Sequence, residues 1–532
     1  MYIISFTYIH IQNIIISSYI MDTQHNNTTA KKERKVRQAK KEKDNEKEKE
    51  IQPVPANVPP VIEPPVVDKK ERKPRVSKKG LAVALAKKRA TDVACKGSAD
   101  ESNTRRTKVP GSNVNLADVI KHMIDNDVKD LPEKEKNQIE ALVRETIANK
   151  DKVIKSTKKI EDNKITMPDD LITTVNGWTV LKLVGPAYLR GYIHGSYLKS
   201  DIIKMRKAFV KIVEKDFHVS MDEYLETIIS WGIPDQCKEH FKELHEEIVG
   251  IATGCEGAMT YTELIGWNHL LGMYNYYSVS VEKCNAVIAF NPDGELVMAH
   301  STHSEYITGM VQPYIFYYVP THGNSFVMQS LPGYIFSGSD FFMNSAGIMG
   351  CETSMAMFKK RPEAGLPLFC RARVMMQYGT SLDECMKLLM HKNAGDYPCI
   401  WLIGDNNKKM LLKLELGADM AGIYTCKKGF VCSANIPECS RIIVEETELN
   451  EKGGIPAIER FTILHTLMTQ WDGSDTGLKN IFRHVGLCDQ EKKRGDGGGS
   501  SDFKFAKSSG LSDLSFIANW GSPCKKKMVI KG

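Results

Sequence analysis

The chain has 532 residues, 26% of them charged and 42% hydrophobic, with a formal net charge of +7. That length and apolar content exclude a small disulfide-stapled fold and a chain disordered throughout, and they leave room for a sizeable core. The charge is unevenly placed: residues 1–165 hold 35 Lys and Arg against 24 Asp and Glu, and the remainder 37 against 41, so a basic arm of net +11 precedes a slightly acidic body of net −4.

Residues 1–20 (MYIISFTYIHIQNIIISSYI) are apolar and uncharged and are followed by Met21. They lack the basic start and small-residue cleavage site of a secretory signal. Three readings stay open: an upstream start with Met21 as initiator, a degenerate signal or anchor, and an ordered strand. No other run approaches the roughly 18 apolar residues that span a membrane. Residues 31–50 are almost wholly Lys, Arg, Glu, Asp, Gln and Asn, prolines crowd 53–65, and 69–90 form a second basic block. Such a composition buries too little apolar surface to offset its chain entropy, so 21–114 is expected to be a disordered Lys/Pro-rich arm. Clustered Lys and Arg also suit a nucleic acid or another acidic partner through counterion release, although the arm has no aromatic residue for base stacking. Residues 115–165 read as a short helical linker, with Leu116, Val119, Ile120 and Met123 and then Ile139, Leu142 and Val143 at helical spacing.

Folding signals become dense from residue 166. Residues 177–181 open a strand pattern, and 196–232 and 237–252 read as helices. Residues 284–290 (CNAVIAF) lead into Asn291-Pro292-Asp293-Gly294, a strong turn signal, and 295–300 (ELVMAH) resume as a strand. This is a β-hairpin with Cys284 at its head; folding it back brings residues 301–303 level with Cys284 and puts His300 and Thr302 on one face. Further strands are expected at 313–319, 325–330, 347–351, 400–404, 411–416 and 430–433, and helices at 369–379, 381–391 and 456–470. Strands from two regions with helices on either side predict an α+β sandwich rather than a doubly wound parallel sheet. No GxGxxG or GxxxxGK[ST] opens a helix, which removes the main support for nucleotide binding. Residues 492–501 (KKRGDGGGSS) read as a flexible surface loop.

Thirteen cysteines are scattered without a C-x-x-C pair, so no zinc ribbon or thioredoxin site is indicated, and most are expected to be free thiols in a reducing compartment. The sequons at Asn26 and Asn27 lie outside the body, which favours an intracellular location; a secretory or lysosomal-type one is the alternative if residues 1–20 are a signal.

Several ordered motifs carry a resemblance. KCNAVIA (283–289), MAHSTHSEY (298–306), LPGY (331–334), SDFF (339–342), GIMGCET (347–353), PEAGLPLFCRAR (362–373), GDYPCIW (395–401) and WGSPC (520–524) resemble the phospholipase B-like family of N-terminal nucleophile hydrolases. The resemblance spans the body and leaves the arm uncovered. It implies a four-layer αββα sandwich, α+β in class, whose precursor cuts itself between Lys283 and Cys284 into a smaller piece, 166–283, and a nucleophile-bearing piece, 284–532. Taken alone, a strand cysteine is an inert buried thiol and a strand histidine a structural hydrogen-bonder. With the hairpin spacing and the resemblance together, Cys284 becomes the expected nucleophile, and its freed α-amine, with a pKa of roughly 8, the general base.

The resemblance gives His300 an orienting or polarising role and places Thr302, His303, Arg371, Arg373 and Trp401 in matching segments as candidate substrate contacts. It implies no cofactor and no metal, and a lipid ester or acyl amide as substrate. Two departures stand out. The family usually has Trp where this chain has His303, and an oxyanion-donating Asn where this chain has Cys399. Losing one oxyanion donor costs on the order of 3 kcal/mol, which Asn393 or a backbone N–H would have to supply. Asp340 and Glu352 are expected to be paired structural supports, and Tyr274, Tyr276 and Tyr277 core or interface. The alternative is a catalytically impaired hydrolase fold used as a structural or nucleic-acid-associated protein through its arm.

Overall fold

The computed structural model describes residues 163–277, 284–305, 313–337, 341–449, 455–488 and 498–524, with the strand at 156–158 and six helical positions between 133 and 144. The leader, the arm, Lys283 and Asp340 lie outside the described residues. The chain divides after Ser102, and every described residue belongs to the second unit, Asn103–Gly532. Of the expected linker helices, Glu133, Lys136, Asn137, Glu140, Ala141 and Arg144 are described, and they are helical.

The strands in chain order are β1 (Ser156–Lys158), β2 (Lys164–Ile165), β3 (Ile172–Val175), β4 (Trp178–Gly185), β5 (Cys284–Phe290), β6 (Leu296–Glu305), β7 (Tyr314–Pro320), β8 (Phe326–Ser330) and β9 (Phe341–Asn344). They continue as β10 (Ile348–Ser354), β11 (Cys399–Asp405), β12 (Met410–Leu416), β13 (Ala421–Cys426), β14 (Phe430–Ser433), β15 (Gly498–Ser500), β16 (Asp502–Lys507) and β17 (Phe516–Trp520). Ten form a first sheet in the order β1-β3-β4-β7-β8-β9-β10-β11-β12-β13. A second sheet runs β14-β5-β6-β16-β17-β2, with β15 also on β6. Among the described strands, only β1–β3 and β4–β7 pair in parallel.

Helices α1 (Ala187–Tyr197), α2 (Lys199–Ile212), α3 (Met221–Ser230), α4 (Ile233–His240), α5 (Lys242–Gly254), α6 (Tyr261–Asn268), α7 (Leu270–Tyr276), α8 (Leu368–Tyr378) and α9 (Leu382–Met390) precede α10 (Ser440–Glu446), α11 (Ile455–Thr469), α12 (Asp475–Phe482) and α13 (Val485–Cys488).

Strand alternation sorts the side chains into layers. In β7, Ile315 and Tyr317 enter a core shared with Ala286, Ile288, Leu296 and Met298 of the second sheet, while Phe316 and Tyr318 enter a core shared with α1–α9. A third core joins Val287, Ala289, Val297, Ala299, Phe503 and Phe505 on the far face of the second sheet to Leu464, Leu478 and Phe482 of α11 and α12. The order is therefore helices, sheet, sheet, helices: the αββα sandwich that the sequence led us to expect. Each central strand is covered on both faces, which is why these runs are apolar throughout instead of alternating with polar residues.

Local departures have local causes. The helix expected over 196–232 breaks at a π-turn, Val213–Phe217, where His218 takes a positive φ of 58°, and again at Gly232, φ 68°. α6 starts on a capping box in which Thr260 Oγ1 accepts from Glu263 N at 3.2 Å and Thr260 N donates to Glu263 Oε2 at 2.8 Å. α1 and α5 cross at glycines: a Cβ on Gly191 would lie 1.9 Å from Glu247 O. Of the loop expected at 492–501, Gly498–Ser500 is β15, paired to β6, and Ser500 and Ser501 are buried. Its small side chains carry no periodicity in sequence, yet they suit a strand packed beneath α13. Cys488 and Cys524 form a disulfide, Cα–Cα 6.2 Å, while the other ten described cysteines belong to no disulfide. Tyr274 and Tyr277 pack on Phe217, and Tyr276 on Trp231, so this half-buried aromatic cluster packs against the helix-side core. Among the described residues, no helix is long and apolar enough to cross a membrane.

Candidate active site

The hairpin that carries Cys284 is built by its turn. Asn291 Oδ1 accepts from Glu295 N at 2.8 Å, Gly294 N donates to Asn291 O at 2.9 Å, and Gly294 takes φ 74°. The closed turn fixes the register, pairing Cys284 with Thr302 and Ala286 with His300. Cross-strand partners share a face, and Ala286 lies in the core between the sheets. Cys284, His300 and Thr302 therefore all face the first sheet.

The backbone of Cys284 is held by two side chains far along the chain. Its N donates to Asn435 Oδ1 at 3.2 Å, and its carbonyl accepts from Arg460 Nη1 at 2.9 Å. Arg460 also donates to Asn285 Oδ1 at 3.0 Å and to Asn435 Oδ1 at 2.8 Å. Asn435 follows β14 with φ 73°, a left-handed conformation that asparagine tolerates better than most residues, and its Nδ2 donates to Ser354 O at 2.7 Å and Ser354 Oγ at 3.1 Å. Arg460 stands on α11 in register with Ala457, Leu464 and Met468, all buried. The buried guanidinium is thus presented to the strand end by an otherwise apolar helix face.

His300 is fully buried, and its Nε2 lies 3.2 Å from Glu352 O. A carbonyl only accepts, so Nε2 carries the proton, and Nδ1 is left as a lone-pair acceptor with no hydrogen-bond partner among the described residues. Burial, reinforced by the nearby Lys504 charge, holds its pKa well below the usual histidine value, so the ring is neutral at pH 7. Its one proton is committed to Glu352 O, so Nδ1 is an acceptor and not a donor. Thr302 is held from β16, its N donating to Asp502 Oδ1 at 2.9 Å and its Oγ1 accepting from Lys504 Nζ at 3.1 Å.

The remaining expected residues do not gather here. His303 is one residue past Thr302, so it points to the opposite face of the second sheet, beside the β15 pairing. Arg371 is enclosed in the helical layer, donating to Leu366 O at 2.9 Å, to Leu389 O, to Asn393 Oδ1 at 2.8 Å and to Asp396 Oδ1 at 3.3 Å. Arg373 bonds Glu247 Oε2 at 3.1 Å and Gln377, and stacks over Tyr318 at 4.5 Å. Asn393 gives its amide protons to Gly417 O at 2.7 Å and Ala418 O at 3.4 Å, so they serve a loop and not an oxyanion. Cys399 and Trp401 alternate with Ile400 and Leu402 on β11 and enter the helix-side core, the face of the first sheet turned away from Cys284. Glu352 is the cross-strand partner of Trp401 and shares that face; only its carbonyl reaches His300. Lys283 and Asp340 lie outside the described residues.

Sequence reasoning missed Asn435, Arg460, Asp502 and Lys504. The one readable signal was an arginine at a buried helical position, Arg460 between Ala457 and Leu464. Among the described residues, no cluster of three or more His, Cys, Asp or Glu is arranged to hold a metal.

The phospholipase B family model matches residues 247–431, which contain Cys284, His300 and Thr302 and end before Asn435 and Arg460. The chain is 27% identical over 271 residues to an uncharacterized protein of Archaeoglobus fulgidus, covering 46% of this chain and 44% of that protein. It is 28% identical over 139 residues to a protein described as phospholipase B-like 2 of Caenorhabditis elegans, covering 24% of each. The chain thus spans less than half the length of these curated relatives. Among solved structures, two variants of the conjugated bile acid hydrolase of Clostridium perfringens superpose at 11% identity with TM-scores of 0.29 and 0.31. They cover 42% and 46% of this chain and 85% and 94% of theirs.

Proposed function

We propose that this protein is a phospholipase B-like N-terminal cysteine hydrolase, cut before Cys284, that cleaves an acyl ester of phospholipid type or an acyl amide through a thioester. The similarity to the phospholipase B family supports a hydrolase. The observation that carries the finer reading is the grip on both backbone atoms of Cys284: Asn435 on its nitrogen and Arg460 on its carbonyl. A cysteine that merely filled core would need neither.

In the precursor, the Cys284 thiol proton leaves as the sulfur attacks and ends on the departing nitrogen. The Cys284 sulfur attacks the Lys283 carbonyl carbon, the Lys283–Cys284 C–N bond breaks, and the departing nitrogen takes the proton. Water then hydrolyses the thioester, leaving the Lys283 carboxylate, the thiol and a free α-amine on Cys284. In turnover, that amine takes the thiol proton, the sulfur acquires the substrate's acyl group, and the leaving alcohol or amine departs with the proton. Water releases the acid.

Release of fatty acid from phosphatidylcholine vesicles, or of amine from an N-acyl amide, by the wild type and not by Cys284→Ala tests the reading; equal release by both would overturn it. Cys399 at the position where the resemblance expects an oxyanion-donating Asn favours a second reading, a retired hydrolase acting through its basic arm. That reading predicts no release, together with a salt-sensitive affinity for DNA or RNA that disappears when residues 22–110 are deleted.

A further inference from the structure

We propose that Lys504 is a positioning residue for the nucleophile: it fixes the Thr302 hydroxyl so that the hydroxyl's own proton is offered to the anion formed at Cys284. The inference rests on the hydrolase reading above and adds two residues to it.

Asp502 and Lys504 alternate with Phe503 and Phe505 on β16 and share the between-sheet face with Ala506. Lys504 Nζ donates to Thr302 Oγ1 at 3.1 Å, to Asp502 Oδ2 at 3.1 Å and to Gln329 Oε1 on the first sheet. Asp502 in turn accepts from Thr302 N at 2.9 Å and from Gln329 Nε2 at 3.0 Å. Lys504, Asp502 and Gln329 are completely buried. An ion pair this deep costs desolvation that apolar residues of similar volume avoid, so stability alone does not account for it.

Its placement does. Thr302 is the cross-strand partner of Cys284, and directly opposed residues hold their Cβ atoms about 4.5–5.5 Å apart. Because the ammonium fills an acceptor position on Oγ1, the hydroxyl proton must point elsewhere, and among the described residues it has no acceptor. A buried donor without an acceptor is costly until one appears. Deprotonation of Cys284 creates that acceptor on the same face. Arg460 Nη1 and Nη2 are directed to Cys284 O, Asn285 and Asn435, and His300 Nε2 to Glu352 O.

The test is peptide-resolved alkylation of Cys284 by iodoacetamide across pH 5–10 in the full-length protein, with urea unfolding run alongside. Thr302→Val should raise the pH midpoint by about one unit, tenfold less thiolate at a given pH, and Thr302→Ser should restore it. Lys504→Met combined with Asp502→Asn, which buries no lone charge, should match Thr302→Val. A wild-type midpoint in Thr302→Val, or in the folded double variant, overturns the proposal; a purely structural role would lower the urea midpoint and leave the alkylation midpoint in place. Wild-type Cys284 that resists alkylation throughout would instead overturn the hydrolase reading, and this inference with it.

Discussion

Arg460→Met separates a site built around Cys284 from an ordinary buried strand end. The substitution withdraws three donated bonds, to Cys284 O at 2.9 Å, Asn285 Oδ1 at 3.0 Å and Asn435 Oδ1 at 2.8 Å. Asn435 Oδ1 still accepts from Cys284 N, so two acceptors rather than three lose the donor they depended on. At about 1–3 kcal/mol for each buried acceptor, and with some return from the apolar methionine, the expected loss is about 3 kcal/mol. That lies within the usual folding stability of about 5–15 kcal/mol, so the variant remains folded and can be assayed. Urea unfolding reads the stability, and the rate of chain cleavage read by intact mass reports the site. A strand end freed to shift by an ångström predicts cleavage slowed about 100-fold. Arg460→Lys keeps the charge but not the planar fork and should recover stability more than rate. A variant as stable as the wild type that also cleaves at the wild-type rate would refute the reasoning.

Other perturbations probe the scaffold. Gly191→Ala would bring a Cβ to 1.9 Å from the backbone oxygen of Glu247, forcing α1 and α5 apart, so the urea midpoint should fall by the equivalent of about 1–3 kcal/mol; an unchanged midpoint would contradict the close crossing. Arg373→Met removes one partner of buried Glu247, which keeps Arg190 at 2.8 Å. The cost should therefore lie near the lower end of about 3–5 kcal/mol, with KM unchanged; a raised KM at wild-type stability would restore Arg373 as a substrate contact. Burial depresses the pKa of His194 to about 3 and lowers those of His269 and His300 as well. Below pH 6.5 the unfolded chain takes up protons that these folded rings refuse. Stability should thus be full above about pH 6.5 and fall on acidification by about 1.4 kcal/mol per pH unit for each ring, until the folded pKa is reached. Urea midpoints that are flat from pH 7 to 5 would contradict this.

The sequence made the hairpin legible because its signals are local: a four-residue turn, alternation on both sides, and a spacing that brings Thr302 opposite Cys284. The layered α+β class was legible for a similar reason, since strands apolar on both faces demand cover on both. The rest of the site was not legible, because Asn435 and Arg460 meet Cys284 across 151 and 176 residues, and nothing local in Ala434-Asn435-Ile436 announces it. Arg371, Arg373 and Trp401 sit inside motifs that match the family, but a motif match cannot say which face of a sheet a side chain takes. β11 alternates Cys399 and Trp401 onto the helix side. β15 escaped notice because glycine and serine have no hydropathy pattern, and the Cys488–Cys524 bridge because pairing is a property of the fold and not of spacing.

The central claim is that Cys284 is a nucleophile freed by cleavage on its N-terminal side. Intact mass measurement of the purified wild-type chain, beside Cys284→Ala, tests it most directly. The account predicts two fragments separated between Lys283 and Cys284 in the wild type, and a single uncut chain in the variant. An uncut, folded wild-type chain would contradict it.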